Sequence, residues 1–218
     1  MSTVSIPNRC RIVLVAPPAP SPDALTALLR KALAGGDVST VILPAYDLDE
    51  ARFQAMAEAA VPVIQASGVA ALIVNDSRIA GRVKADGLHI EGNAGDIIDA
   101  VKAHTPKLIV GGSGIRNRHT ALEIGEAQPD YLMFGKLGAD QSPEAHPRNL
   151  ELADWWAAMV EIPCIVQAGS ALESLKEVSA TGAEFVALGN AVFESEDPEA
   201  AIREANRLLD EWAPVFEE

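Results

Sequence analysis

The sequence predicts a single (β/α)8 barrel, and three observations carry that prediction. Eight short apolar runs recur at intervals along 218 residues. Most are rich in Val, Ile and Leu without polar alternation, the pattern of parallel strands buried on both faces. Helix-length amphipathic segments lie between them, and eight β-α units in about this length make a compact barrel.

In order, the strand candidates are Arg11–Ala16, Thr40–Pro44, Ala71–Asn75, Gly87–Ile90, Leu108–Gly112, Tyr131–Gly135, Cys164–Ala168 and Phe185–Gly189. The clearest helical segments are Pro22–Leu33, Asp49–Ala60, Arg118–Ala127, Leu172–Thr181 and Pro198–Trp212. An open doubly wound sheet is the competing architecture. It usually opens with a glycine-rich turn, whereas the first strand here runs into APPAPSP, which has no glycine. Pro62 is expected to kink or break a helix starting near Asp49. Lys136–Asn149, KLGADQSPEAHPRN, reads as a long polar loop after the sixth strand, placed to act as a lid over a barrel mouth. Residues 1–218 are expected to form one domain.

A hydrophobic content of 49% suits one large core. A formal charge of −14 argues against nucleic acid, which is bound through basic surfaces. A phosphorylated small-molecule substrate would need local help from backbone amides, a few cations or a metal. With no signal-peptide pattern and no apolar run near about 18 residues, no membrane association is expected and the protein is read as cytoplasmic. Cys10 and Cys164 are expected to be reduced and buried.

In a barrel, side chains at the C-terminal ends of the strands carry the chemistry. Asn75 and Asp76 close the third strand, where they offer oxygen ligands for Mg2+, although spacing alone favours Asp76 or Ser77 as the N-cap of a helix over Ser77–Lys84. His89 ends the fourth strand as a proton carrier or a satisfied structural histidine, with Glu91 and Asp96 following as metal ligands or an acidic helix start. Ser113, within Gly111–Gly114, offers a hydroxyl after the fifth strand. Arg116, Arg118 and His119 form a cationic cluster, attracting an anion or simply solvating a helix. Gly169-Ser170 and Gly189-Asn190-Ala191 end the seventh and eighth strands, the recurrent phosphate site of barrels.

These segments resemble a known family. LIVND followed by ADGLHI is similar to the IND…ADGVHLGQ segment of the thiamine phosphate synthase and TenI-like barrels. LIVGGS, QPDYLMFGK, IPCIVQAGS and TGAEFVALGNAVF follow in order and resemble its later strands. The resemblance implies a transferase of thiamine biosynthesis that joins hydroxymethylpyrimidine pyrophosphate to thiazole phosphate with Mg2+ and releases pyrophosphate. It implies Asn75 and Asp76 at the pyrophosphate and Mg2+, with Asp96 as the second metal carboxylate only if the turn is longer than the family's, and His89 and Ser113 at the pyrimidine. Gly169, Ser170, Gly189, Asn190 and Ala191 would hold the thiazole phosphate, and Asp76, His89 and Lys136 would be catalytic.

The pattern also departs from the family. The Gln-x-Arg-x-Lys clamp of the second strand is replaced by Leu43, Ala45 and Asp47, and Ala94 stands where a metal Asp is expected. The Thr-x-Thr-Lys of the sixth loop is missing, with Lys136, Ser142, His146 and Arg148 nearby. Each lost charge-assisted bond is worth roughly 1.5–3 kcal/mol. Two alternatives follow: a paralog that binds a small phosphorylated ligand without catalysis, and a TenI-like thiazole tautomerase, whose histidine is replaced by Ile115. A homodimer is a further expectation, with Trp155-Trp156 as either an exposed apolar patch or a pair in which core packing takes at least one ring.

Overall fold

The computed structural model describes residues 6–216. Eight parallel strands close on themselves in sequence order, β8 pairing with β1. They are β1 (Arg11–Val15), β2 (Thr40–Leu43), β3 (Ala70–Val74), β4 (Gly87–Glu91), β5 (Ile109–Ser113), β6 (Tyr131–Phe134), β7 (Cys164–Gln167) and β8 (Phe185–Leu188). The surrounding helices are α1 (Pro22–Leu33), α2 (Glu50–Ala66), α3 (Ser77–Val83), α4 (Ala94–His104), α5 (Arg118–Gly125), α6 (Pro147–Met159), α7 (Leu175–Ser179), α8 (Asn190–Phe193) and α9 (Pro198–Trp212). The closed barrel excludes the open sheet, and each expected strand forms within a residue of its expected ends.

Side chains alternate between two cores because the strand period is two. Val13, Val15, Ile42, Leu72, Val74, Tyr131, Met133, Ile165 and Ala187 fill the barrel interior. Ile12, Leu14, Val41, Ile73, Leu88, Val110, Leu132 and Val186 point outward into the layer shared with the helices. Both faces of most strands are therefore apolar, which is why most of the sequence runs lack alternation; His89, Ser113 and Gln167 are the buried polar exceptions.

At the N-terminal rim one device recurs in three adjacent strand pairs. Asp86, just before β4, accepts the Ala71 N–H of β3 at 2.8 Å. Asp130, just before β6, accepts the Val110 N–H of β5 at 2.7 Å, and Glu184, just before β8, accepts the Cys164 N–H of β7 at 2.9 Å. Much of the sequence resemblance in ADGLHI and QPDYLMFGK lies at this rim, where barrels keep stability rather than chemistry.

Three local expectations are corrected. The helix over Pro62 is neither broken nor ended there: α2 runs through to Ala66. Pro62 and Glu58, whose carbonyl loses its donor, both lie on the exposed face, where water replaces the lost bond. The long loop is shorter than Lys136–Asn149, because α6 starts at Pro147, a favourable first helical residue. The Trp155-Trp156 pair is not an exposed patch. Trp156 is fully buried and donates to the Ile162 carbonyl at 2.7 Å, while Trp155 lies under the Arg118 guanidinium at 5.0 Å. Cys10 and Cys164 are free and buried, and burial pushes both thiols up, Cys10 to about 12. No helix among the described residues is long and apolar enough to cross a membrane.

Candidate active site at the barrel mouth

The segment between β6 and α6 crosses the mouth and divides it. Gly135 lies against Gln167 so closely that an added Cβ would sit 2.5 Å from the Gln167 Cβ. The Lys136 N–H donates to Gln167 Oε1 at 2.8 Å. Leu137 then drops into the top of the barrel core. Gly138, at φ 72°, passes Tyr46 from the β2 end. Asp140 is only 6% exposed; its Oδ2 accepts the Asn190 N–H at 2.6 Å, and its carbonyl accepts the Asn190 side-chain amide at 3.2 Å. Finally the Ser142 carbonyl accepts the Ser170 N–H at 2.8 Å and the Pro143 carbonyl accepts the Ala171 N–H at 3.3 Å. The segment therefore covers the β8 turn and the β2 end and is pinned to the turn after β7, whose Gln167 and Ala168 still border open space.

The other half stays open as a cavity of about 860 Å3 above β4, β5, β6 and the start of α6. Arg116, Lys136, His146 and Arg148 line it. None of the guanidinium and ammonium groups of Arg116, Lys136 and Arg148 pairs with a carboxylate of the described residues. Glu91, Asp140, Glu144 and Glu177 share the walls. Burial raises the Glu91 carboxyl above its ordinary range, and the Lys136 charge pulls it partly back. Tyr46 is pushed up to about 12, first by burial of its hydroxyl end, which donates to the Ala16 carbonyl at 2.6 Å, and then by the charges of Asp140 and Glu91.

Below the cavity floor, His89 is fully buried inside the barrel. Its Nδ1 is 2.7 Å from the Tyr131 hydroxyl and its Nε2 is 3.0 Å from the Ser113 hydroxyl. Desolvation drives the imidazole down to about 3, so it is neutral, with one ring nitrogen donating and the other accepting. Gly111 makes room for this arrangement: a Cβ there would lie 2.6 Å from the Tyr131 ring.

The remaining expected residues are placed as follows. Asn75, at φ 59°, clasps the end of β4, accepting the Glu91 N–H at 2.9 Å and donating to the Glu91 carbonyl at 3.1 Å. Asp76 caps α3, its Oδ1 accepting from both the Arg78 and Ile79 N–H groups. Asp96 forms a reciprocal capping box with Asn93 at the start of α4. Leu43 is buried, and neither it nor Ala45 nor Asp47 lines the cavity. Of the cluster Arg116, Arg118 and His119, only Arg116 reaches the cavity; Arg118 stacks on Trp155 and pairs with Glu151 at 3.6 Å. Tyr131, Gln167 and Asp140 were not singled out in the sequence. Tyr131 was accessible to the period-two rule, sharing the inward face of β6 with Met133. Gln167 and Asp140 carry no local signal.

A closed parallel barrel with its ionisable side chains gathered at the C-terminal mouth defines a barrel-type small-molecule site. Residues 12–192 match the family described as thiamine monophosphate synthase, and the chain belongs to that family. It is 32% identical over 203 residues to the thiamine-phosphate synthase of Rhodospirillum centenum, covering 92% of this chain and 98% of that protein. It is 28% identical to the thiamine-phosphate synthase of Hyphomonas neptunium, covering 94% and 96%. Among solved structures, the thiamine phosphate pyrophosphorylase of Pyrococcus furiosus superposes with a TM-score of 0.76 at 21% identity, covering 94% and 97% of the two chains, a likeness of fold.

Proposed function

We propose that this protein is a transferase that joins a pyrimidine pyrophosphate to thiazole phosphate and releases pyrophosphate. The observation that carries this reading is the convergence of Arg116, Lys136 and Arg148 on one open cavity in a chain of the synthase family. In this reaction the bond between the pyrimidine methylene carbon and the pyrophosphate oxygen breaks. Pyrophosphate leaves with the electron pair, and the thiazole nitrogen supplies the pair of the new C–N bond. The chemistry therefore needs positioning and stabilisation of the departing anion rather than net proton transfer. Arg116, Lys136 and Arg148 supply the positive charge that the missing β2 clamp would otherwise provide. Neutral His89 holds the fully buried Ser113 hydroxyl inside the barrel, bracing the ends of β4 and β5 that border the cavity.

The donor set bears on Mg2+. The described residues contain no group of three or more His, Cys, Asp and Glu side chains able to hold a metal. Asp76 and Asp96, the carboxylates the family resemblance points to, are both engaged as helix caps, and neither lines the cavity. A Mg2+ ion there would therefore be carried mainly by substrate phosphates. When bound, Mg2+ would neutralise charge on the leaving pyrophosphate.

A second reading, a paralog that binds a phosphorylated ligand without turnover, is favoured by one observation. The β2 positions of the family clamp hold Leu43, Ala45 and Asp47, none of which reaches the cavity. Turnover decides between the two: purified protein with Mg2+, hydroxymethylpyrimidine pyrophosphate and thiazole phosphate is expected to form thiamine phosphate. No product at high enzyme concentration, with thiazole phosphate still bound, would establish the second reading.

A further inference from the structure

We propose that Asp140 is an internal anion that competes with a substrate phosphate for the turns after β7 and β8, so that lid closure and phosphate binding exclude one another. The inference rests on the reading of this protein as a phosphate-ester-handling barrel. Three backbone donors in these two turns already hold an oxygen, and all three oxygens come from one segment. Asn190 N–H holds Asp140 Oδ2, Ser170 N–H holds the Ser142 carbonyl and Ala171 N–H holds the Pro143 carbonyl. The Gly169 N–H of the same turn is bonded to Ser174 Oγ at 3.0 Å.

The glycines fit the same arrangement. A Cβ on Gly169 would overlap the Pro143 carbonyl oxygen, and one on Gly189 would lie 2.8 Å from Asp140 Oδ2. Both turns are thus cleared of side chains where the segment's oxygens approach. Asp140 is a buried carboxylate that no cation of the described residues pairs with. Burying such a charge against one short backbone bond is costly unless donors there favour an anion. A phosphate monoester offers three such oxygens on one atom, and turns of this kind in barrels accept it. To enter, it must displace Asp140 together with Ser142 and Pro143. Gly138, at φ 72°, gives that segment a residue that tolerates the backbone change.

Calorimetric titration with thiazole phosphate tests this on wild type, Asp140→Ala and Asp140→Asn, each checked for folding by its thermal melt. Asp140→Ala is expected to bind at least about tenfold more tightly, because the competing anion is gone, with Asp140→Asn between the two. A folded Asp140→Ala that binds no tighter overturns the proposal. Should that variant fail to fold, wild type alone decides. Limited proteolysis within residues 137–146 is expected to speed up when thiazole phosphate is added, and unchanged or slower cleavage overturns the proposal. These readouts are independent of turnover: a wild type that forms thiamine phosphate while both tests fail removes the competition alone. A protein that forms no product while Asp140→Ala gains affinity removes the synthase reading alone.

Discussion

The two ends of the barrel use the same bond for different purposes. At the N-terminal rim Asp86, Asp130 and Glu184 each accept a backbone N–H from the preceding strand, at 2.7 to 2.9 Å. At the mouth Asp140 accepts the Asn190 N–H at 2.6 Å. The rim carboxylates stand at strand starts, with short, fixed connections to their partners. Asp140 stands in a segment without regular structure and reaches a turn 50 residues away in sequence. The difference teaches that a carboxylate on a backbone donor is a staple when both ends lie in the barrel wall, and a releasable catch when one end lies on a loop.

The largest expected effect concerns the open half of the mouth. Replacing both Lys136 and Arg116 by Ala should lower the rate of thiamine phosphate formation by about a hundredfold or more, each charge-assisted bond being worth roughly 1.5–3 kcal/mol. Steady-state kinetics would check it, and a rate within threefold of wild type would show that the anion is held elsewhere.

At the opposite end, Asp130→Ala should cost about 1–3 kcal/mol in urea denaturation, because the Val110 N–H loses its acceptor, with affinity for thiazole phosphate unchanged. A change in affinity as large as that in Asp140→Ala would erase the distinction between staple and catch.

The pH dependence of stability separates the interior from both rims. His89 titrates near 6.5 when unfolded but is depressed to about 3 in the fold, so below pH 6.5 the unfolded chain takes up a proton that the folded one refuses. Its contribution is fully present above about 6.5 and is lost as pH falls toward 3, with a slope of at most about 1.4 kcal/mol per pH unit. Urea titrations at pH 7 and pH 5 on wild type and His89→Gln should show this slope only in wild type.

The smallest expected effect is that of Ser113→Ala, about 1 kcal/mol in stability, from the loss of its hydrogen bond to His89. Proton NMR of the His89 ring would register the lost partner. An unshifted resonance would mean that Ser113 does not fix the imidazole.

Much of the fold was legible because strands buried on both faces leave uninterrupted Val, Ile and Leu runs that no neighbour needs to explain. The break at Pro62 did not occur because the rule for helix breaking is local, whereas the cost depends on which face meets water. The Trp155-Trp156 pair was legible only as two alternatives, because adjacent positions on a helix point about 100° apart, and only the packing of α6 against the barrel decides that Trp156 is the covered ring. Asp76 shows the limit at the site. Its sequence position fits a cap and a metal ligand, and the structure commits one oxygen to the α3 cap.

The sequence by itself determined the eight-fold β-α repeat, the placing of Ser113, Asp76 and the two glycine turns at strand ends, and the loss of the β2 cations; His89, expected at a strand end, is instead the third residue of β4 and lies inside the barrel. Hydrophobic periodicity and turn chemistry are local and survive in one dimension. Only the tertiary structure decided that Lys136, Arg116 and Arg148 share one cavity, that His89 is sealed between Tyr131 and Ser113, and that Asp140 fills the β8 turn. Those facts depend on closing the barrel, which brings distant strand ends to one rim and lets a loop of no regular pattern choose which of them it covers.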